Sequence, residues 1–303
     1  MEMNFIRYLF IFNTVFITIG GLLINYIEPY LPISLRRIFR YGKYNANIRH
    51  VVMETLEVPK SWFRHFYMFA APASTVTLCL IFYKYFYNWK VPEIVLTLLD
   101  ISFGASRKPL VPAENVIIAI VLFNVQCWKR LYETTSVSIF GNNKINVSLY
   151  LIGYIHYAGA LLCFIGESEG FVRGSLYINR PWNKLTITIL VCALIFLWST
   201  YMQLHTNFIL ARLRKNRDGV VVSYSYNVPF HGLFEYVSSP LQFTEILMYF
   251  MLSLILWQAS TYHYVTFWVM ANQAECAYLN HQWYRNTFKD YPKKRKILIP
   301  YIW

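Results

Sequence analysis

Charge is what this sequence has least of. Only 14% of its 303 residues are Asp, Glu, Lys or Arg, against about 25% in a soluble domain. With 56% hydrophobic and 19% aromatic residues, that shortage excludes a chain whose whole surface faces water. Cysteine is sparse too. Cys79, Cys127, Cys163, Cys192 and Cys276 lie in or at the edges of apolar runs and form no CxxC pair. That spacing argues against a disulfide framework or a zinc site and reads as small buried hydrophobes. The chain also has no GxGxxG, GxxxxGK[ST] or HExxH. A soluble dinucleotide-binding domain, a P-loop and a zincin-type metal site are therefore excluded. Any nucleotide has to be held by helices and the loops joining them. There are no internal repeats or low-complexity tracts. The first apolar run is long for a cleaved signal and lacks an A-x-A-like site, so it reads as a retained first span.

What is present is a series of long apolar stretches. A spanning helix needs about 20 mostly apolar residues. Seven stretches qualify as candidates, at 4–26, 63–87, 114–128, 147–165, 185–205, 241–257 and 262–278. The third is short unless it continues toward 140, and the seventh carries Asn272, Gln273 and Glu275, which are costly in lipid. Segment 88–113 has room for a short interfacial helix. Pro29, Pro59, Pro92, Pro112 and Pro229 fall near the expected span ends, as chain breakers do. Length alone would suggest about two soluble domains, but the apolar runs leave no room for them. The expectation is an all-α integral membrane protein of about seven transmembrane helices, forming one domain over 1–303.

The net charge is +13. In a soluble protein that would suggest nucleic acid, but here the cations sit between the apolar runs, so no nucleic-acid partner is expected. Under the positive-inside rule, a lumenal N-terminus puts 20 of the 28 Lys and Arg residues in the cytosolic segments 27–64, 129–146, 206–240 and 279–303, and seven in the lumenal ones. Seven spans then leave the C-terminus cytosolic. The partners expected are the lipid bilayer and an apolar ligand; no obligate protein partner is evident.

Four stretches can carry chemistry. In 203–245, Gln203, His205 and Asn207 precede Arg212, Arg214, Lys215 and Arg217, then Tyr224 and Tyr226, with Glu245 early in an apolar run. Arginines beside polar helix ends suit a phosphate-bearing ligand, and equally suit a positive-inside loop against lipid headgroups. In 272–301, polar groups at membrane depth precede Asn280, His281 and Tyr284; they fit a functional site or interhelical hydrogen bonding. Glu54 and Glu57 precede Pro59 and Lys60 at the mouth of the second stretch. A carboxyl there can hold a proton near apolar surroundings or be a solvated acid at a helix entry. Lys129, Arg130, Tyr132 and Glu133 end the third stretch, where they line a site or only set topology.

Taken together, these pieces resemble the steroid 5α-reductase family. The run Lys129-Arg130-Leu131-Tyr132-Glu133-Thr134 is similar to the family's third-span segment. Leu213-Arg214-Lys215, then Tyr226 through Pro229, Gly232, Phe234-Glu235, Ser238-Ser239-Pro240 and Glu245, look like its C-terminal signature. Leu279-Asn280-His281, Tyr284, Tyr291-Pro292 and Pro300 resemble its ending. The Leu-Asn-His form, Ser-Ser-Pro, and Val58-Pro59-Lys60 leading to Trp62-Phe63 and His65-Phe66-Tyr67 favour the branch acting on long-chain polyisoprenoids. The resemblance is close over 203–303 and looser over 55–140.

It implies NADPH, a seven-helix fold, a site open to the cytosol and an endoplasmic reticulum membrane. By position, Arg130, Asn207, Arg214, Tyr226, Glu245, His281 and Tyr284 match cofactor-site residues, and Glu57 matches the acid that engages a substrate carbonyl. The family's His-Tyr pair on the third span is Gln126-Cys127 here, Leu56 stands for a glutamine and Leu241 for an asparagine. The missing phenol leaves the donor to Glu57 or Tyr132, with Tyr67 as a third candidate. The expected reaction saturates the terminal double bond of a polyprenal on the way to dolichol for glycosylation. The rivals are reduction of a steroid or a very-long-chain enoyl-CoA, a membrane methyltransferase, and a non-catalytic prenyl-lipid binding or transport protein.

Overall fold

The computed structural model describes residues 3–40, 55–175 and 185–303; Glu54 lies outside them. The chain is built from α1 (Phe5–Ile27), α2 (Ile33–Phe39), α3 (Phe63–Tyr87), α4 (Glu93–Phe103), α5 (Ala113–Tyr132), α6 (Val147–Gly166), α7 (Ile187–Arg212), α8 (Pro240–Ile255) and α9 (Tyr262–Thr287). Two short strands, β1 (Glu57–Pro59) and β2 (Lys144–Asn146), pair antiparallel with Glu57 opposite Asn146. Each of the seven apolar stretches falls in a helix. Among the described residues, four helical segments are long and apolar enough to cross a membrane: Phe5–Tyr30, Lys60–Tyr87, Val147–Gly166 and Ile187–Arg212. The helix anticipated in 88–113 is α4. The short α2 has no counterpart in the sequence reading, although Pro32 at its N-cap and the pattern of Ile33, Arg36 and Arg37 are the local signals for it.

Side-chain caps begin several helices. Asn4 accepts from the Arg7 N–H at 2.9 Å, Asn146 from the Ser148 N–H at 2.9 Å, and Thr186 from the Ile189 N–H, each satisfying a first-turn donor that has no partner within the helix. At the other end of α3, Asn88 takes a left-handed conformation (φ 48°) and stops the helix. The end of α5 is different. A π turn over Glu133–Val137 follows it. Its Glu133 is fully buried and takes Arg130 at 2.6 Å and Lys129 at 3.2 Å.

Lipid supplies little hydrophobic drive between helices, so close packing and polar bonds hold such a bundle. At Gly153 a Cβ would stand 2.8 Å from the Phe66 ring; glycine there lets α6 approach α3. The first and last helices lie side by side. The Asn4 amide reaches Thr261 Oγ1 at 2.9 Å, the Arg7 guanidinium reaches Ser260 Oγ at 2.6 Å, and the Asn25 amide reaches Glu275 at 3.0 Å. At the same end as Asn4, the buried Glu167 accepts from the N–H groups of Ser260 and Thr261 at 2.8 and 2.9 Å. It thereby satisfies donors at the start of α9. Glu275 of α9 thus faces α1.

Candidate functional site

Two cavities of similar size meet inside this bundle. The first, about 290 Å³, lies between helices. Apolar residues such as Phe16, Phe39, Phe66 and Trp268 make most of its wall, and Tyr67, Arg130, Gln203 and Glu245 give it a polar end. The second, about 280 Å³, lies between the end of α7, the start of α8 and the loops around 138–143 and 225–227. Leu241 and Gln242, in the first turn of α8, line both. The two cavities therefore share a wall one side chain thick.

The loop cavity is basic. Lys60 and Arg214 line it, and none of its described lining residues is a carboxylate. Amides from Asn143, Asn207 and Asn280 and phenols from Tyr226 and Tyr284 complete its polar surface. The Arg214 guanidinium lies 4.9 Å from the Tyr226 ring centroid and donates to the Ile139 carbonyl. The Asn143 amide donates to the Tyr226 hydroxyl at 2.6 Å. Behind this cavity the Ser238-Ser239 turn is held firmly. The Asn280 amide donates to Ser238 O at 2.9 Å and to Ser239 Oγ at 2.8 Å, the Tyr291 hydroxyl donates to Ser238 Oγ at 2.6 Å, and the Ser238 N–H donates to Lys296 O at 2.8 Å.

The bundle cavity has its own network. The Gln126 amide and the Lys129 ammonium donate to Gln203 Oε1 at 2.8 and 2.5 Å, and Gln203 Nε2 donates to Glu245 Oε2 at 2.5 Å. Gln126, standing where the resemblance expects a histidine, thus orients the glutamine that fixes Glu245. Beside it, Arg130 Nε donates to the Tyr67 hydroxyl at 3.0 Å.

Of the residues singled out from sequence, Asn207, Arg214, Tyr226 and Tyr284 come together in the loop cavity, and Arg130 and Glu245 in the bundle cavity. His281 lines neither. It sits buried behind the Ser238 turn with Nδ1 2.6 Å from Ser238 Oγ; its neighbour Asn280 faces the cavity instead. Both His281 and Tyr284 lie beyond residue 278, past the seventh apolar stretch. Burial first, then Arg285 and Arg295, pushes the His281 pKa down, and burial with Tyr291 pushes the Tyr284 phenol up. Both are neutral near pH 7, so the cationic character of this region rests on Arg214, beside a Lys60 whose pKa burial lowers. Lys129, Gln203 and Lys60 were visible as polar residues at helix ends. Asn143 and Tyr157 carried no signal beyond a turn-forming Gly141-Asn142-Asn143 and a Tyr150, Tyr154, Tyr157 spacing that puts three rings on one helix face.

Glu57 and Tyr132 line neither cavity. Tyr132 is 49% exposed. Glu57 is held in two-point contact by Arg37, Nε to Oε1 at 2.7 Å and Nη2 to Oε2 at 3.2 Å, with both side chains under 10% exposed. The pair ties α2 to the β1–β2 ladder. Leaving a buried charge without its partner is costly, so Glu57→Gln is expected to cost on the order of 3 kcal/mol of stability. Thermal unfolding of the purified protein in detergent measures it; an unchanged melting temperature would show that the pair contributes nothing.

The family model described as 3-oxo-5-alpha-steroid 4-dehydrogenase matches residues 151–303, which include most of the loop-cavity wall. The chain is 36% identical to the polyprenal reductase of Drosophila melanogaster over 307 residues, 99% of this chain and 94% of that protein. It is 31% identical to the polyprenal reductase of Caenorhabditis elegans, over 91% of this chain and 90% of that protein. To the polyprenal reductase of Homo sapiens it is 28% identical, over 88% and 85%.

Proposed function

As the chain belongs to the steroid 5α-reductase family, we propose that it reduces the α,β double bond of a polyprenal with NADPH, in the pathway to dolichol. The observation that carries this reading is the pair of cavities meeting at Leu241 and Gln242, one basic and free of carboxylates among its described lining residues, the other mostly apolar. Relatives across most of the chain's length that bear the name polyprenal reductase support the substrate.

The loop cavity fits a phosphate-bearing dinucleotide. Arg214 offers a planar fork for phosphate and Lys60 a second cation, while Asn207, Tyr226 and Tyr284 contact the rest. Bound there, NADPH supplies a hydride. Glu245, fixed by Gln203, and Gln242 in the shared wall set the edge against which the reacting ends meet. The bundle cavity takes the prenyl head, with phenylalanines and a tryptophan among its wall. An aldehyde is required for chemical reasons. Hydride addition to an isolated allylic alcohol leaves charge with no sink, whereas in an enal it moves to the carbonyl oxygen, where a donor can hold it.

Seven spans with the N-terminus lumenal and the C-terminus cytosolic, in the endoplasmic reticulum membrane, complete the reading. The 20-to-7 distribution of basic residues supports that orientation. Purified protein in lipid, given NADPH with polyprenal, polyprenol or a 3-oxo-Δ4 steroid, is expected to saturate polyprenal alone, read by mass spectrometry. Folded protein that binds prenyl lipid and saturates nothing would overturn the reading in favour of a lipid-binding protein.

A further inference from the structure

We propose that Tyr67, primed by Arg130, donates the hydrogen bond that holds the negative charge on the aldehyde oxygen during reduction. The inference rests on the reaction proposed above and names the donor left open by Cys127, which stands where the family has a phenol.

Three observations carry it. Tyr67 is 7% exposed and lines the bundle cavity together with Arg130. Its hydroxyl oxygen accepts from Arg130 Nε at 3.0 Å, and the guanidinium carbon lies 4.9 Å from its ring centroid. A cationic donor on the oxygen polarises the O–H bond and strengthens what the phenol gives away. The ring is also fixed, with Tyr157 edge-on to it at 5.5 Å.

The pair stands at the right depth. Helices α5 and α8 run antiparallel: the Asn115 amide donates to Ile255 O at 2.8 Å, and Gln126 reaches Glu245 through Gln203. One turn further along α5, about 6 Å, is Arg130. One turn back along α8, about 6 Å, is Leu241, in the wall shared with the loop cavity. Tyr67 is therefore held at the level where the two cavities meet. Glu57 lies outside both cavities with both carboxylate oxygens on Arg37.

The step balances without further reagents. Hydride from the reduced nicotinamide forms a C–H bond at the β-carbon. The π electrons of the C=C bond shift, and those of C=O become charge on oxygen, where the Tyr67 O–H and its Arg130 support hold them. The enolate then collapses back to C=O as the α-carbon takes a proton from water. Tyr67 keeps its own proton throughout, and the net change is enal, NADPH and a proton to saturated aldehyde and NADP⁺.

Tyr67→Phe removes the hydroxyl and keeps the ring. Turnover of polyprenal is expected to fall about a hundredfold, the cost of deleting one preorganised oxyanion donor, with the affinities for NADPH and polyprenol unchanged. A second readout needs no turnover. Wild type is expected to bind polyprenoic acid, whose carboxylate mimics the charged oxygen, more tightly than polyprenol, and Tyr67→Phe to lose that preference. Should Tyr67→Phe fail to fold, a difluorinated tyrosine at Tyr67, a stronger acid of nearly the same shape, is expected to change turnover at fixed polyprenol affinity. Wild-type turnover in Tyr67→Phe, turnover lost only in step with polyprenol binding, or an indifferent fluorinated variant would overturn the proposal. A wild type that reduces no polyprenal yet shows the Tyr67-dependent preference for the acid would instead overturn the reaction reading alone.

Discussion

Leu241→Trp is expected to lower reduction of polyprenal at least a thousandfold while NADPH and polyprenol still bind. Leu241 and Gln242 are the residues common to both cavities, so the reacting carbon and the hydride have to pass each other there. Hydride transfer needs the reacting atoms about 3–3.5 Å apart, and a misplacement of about 1 Å can cost on the order of a hundredfold. An indole between them spans several times that distance. Leu241 is only half-buried, on the first turn of α8, so the larger ring does not have to break the core. Single-turnover rates with both ligands saturating provide the measurement. A Leu241→Trp protein that reduces polyprenal at the wild-type rate would mean that the two cavities are not the donor and acceptor sites.

The second large effect is at Arg214. Arg214→Met keeps a long apolar stem and removes the only guanidinium among the described residues lining the loop cavity. Truncating one partner of a hydrogen-bonded charge pair costs about 2–5 kcal/mol, so the KM for NADPH is expected to rise on the order of 10²–10³-fold. The kcat at saturating cofactor should change far less, because a phosphate contact holds ground state and transition state alike. The same substitution also uncovers the Tyr226 ring, which the guanidinium lies over, while Asn143 still holds its hydroxyl. Steady-state titration with NADPH at fixed polyprenal measures the two parameters separately; an unchanged KM would remove Arg214 from the cofactor's contacts.

Long apolar runs made the helices legible, and their failures share one cause. The fifth apolar stretch ends at 205 in the sequence reading, but α7 runs on to Arg212. The residues that break the apolar run, Gln203, Thr206 and Asn207, are buried against other helices. The seventh stretch likewise ends at 278, whereas α9 continues to Thr287. A helix inside a bundle can carry polar side chains wherever a neighbour supplies the partner, and hydropathy registers the side chain without the neighbour.

The site was half legible for the same reason. Arg214, Tyr226, Asn207 and Tyr284 could be picked out because they lie within one continuous third of the chain. The Arg37–Glu57 pair is set by the pairing of β1 with β2, which brings residue 57 opposite residue 146. No local pattern encodes that register. His281 and Asn280 are adjacent on α9, so the choice of which faces the cavity is a rotation of about 100°, finer than motif alignment resolves. The Tyr67–Arg130 contact joins residues 63 apart, and only the crossing of α3 and α5 reveals it.

The seam between α1 and α9 has a bearing on how the protein is made. Its hydrogen bonds join residues separated by 250 or more positions. The ribosome delivers α1 long before its partner. Contacts of such long sequence separation form late, and chains emerge at about 5–20 residues per second. Gly21 and Asn25, which both pack on Glu275 of α9, thus wait in a helix without its mate until α9 is made. During that interval α1 needs lipid, or a membrane chaperone, as its temporary companion. This seam of the bundle closes only when α9 arrives against α1.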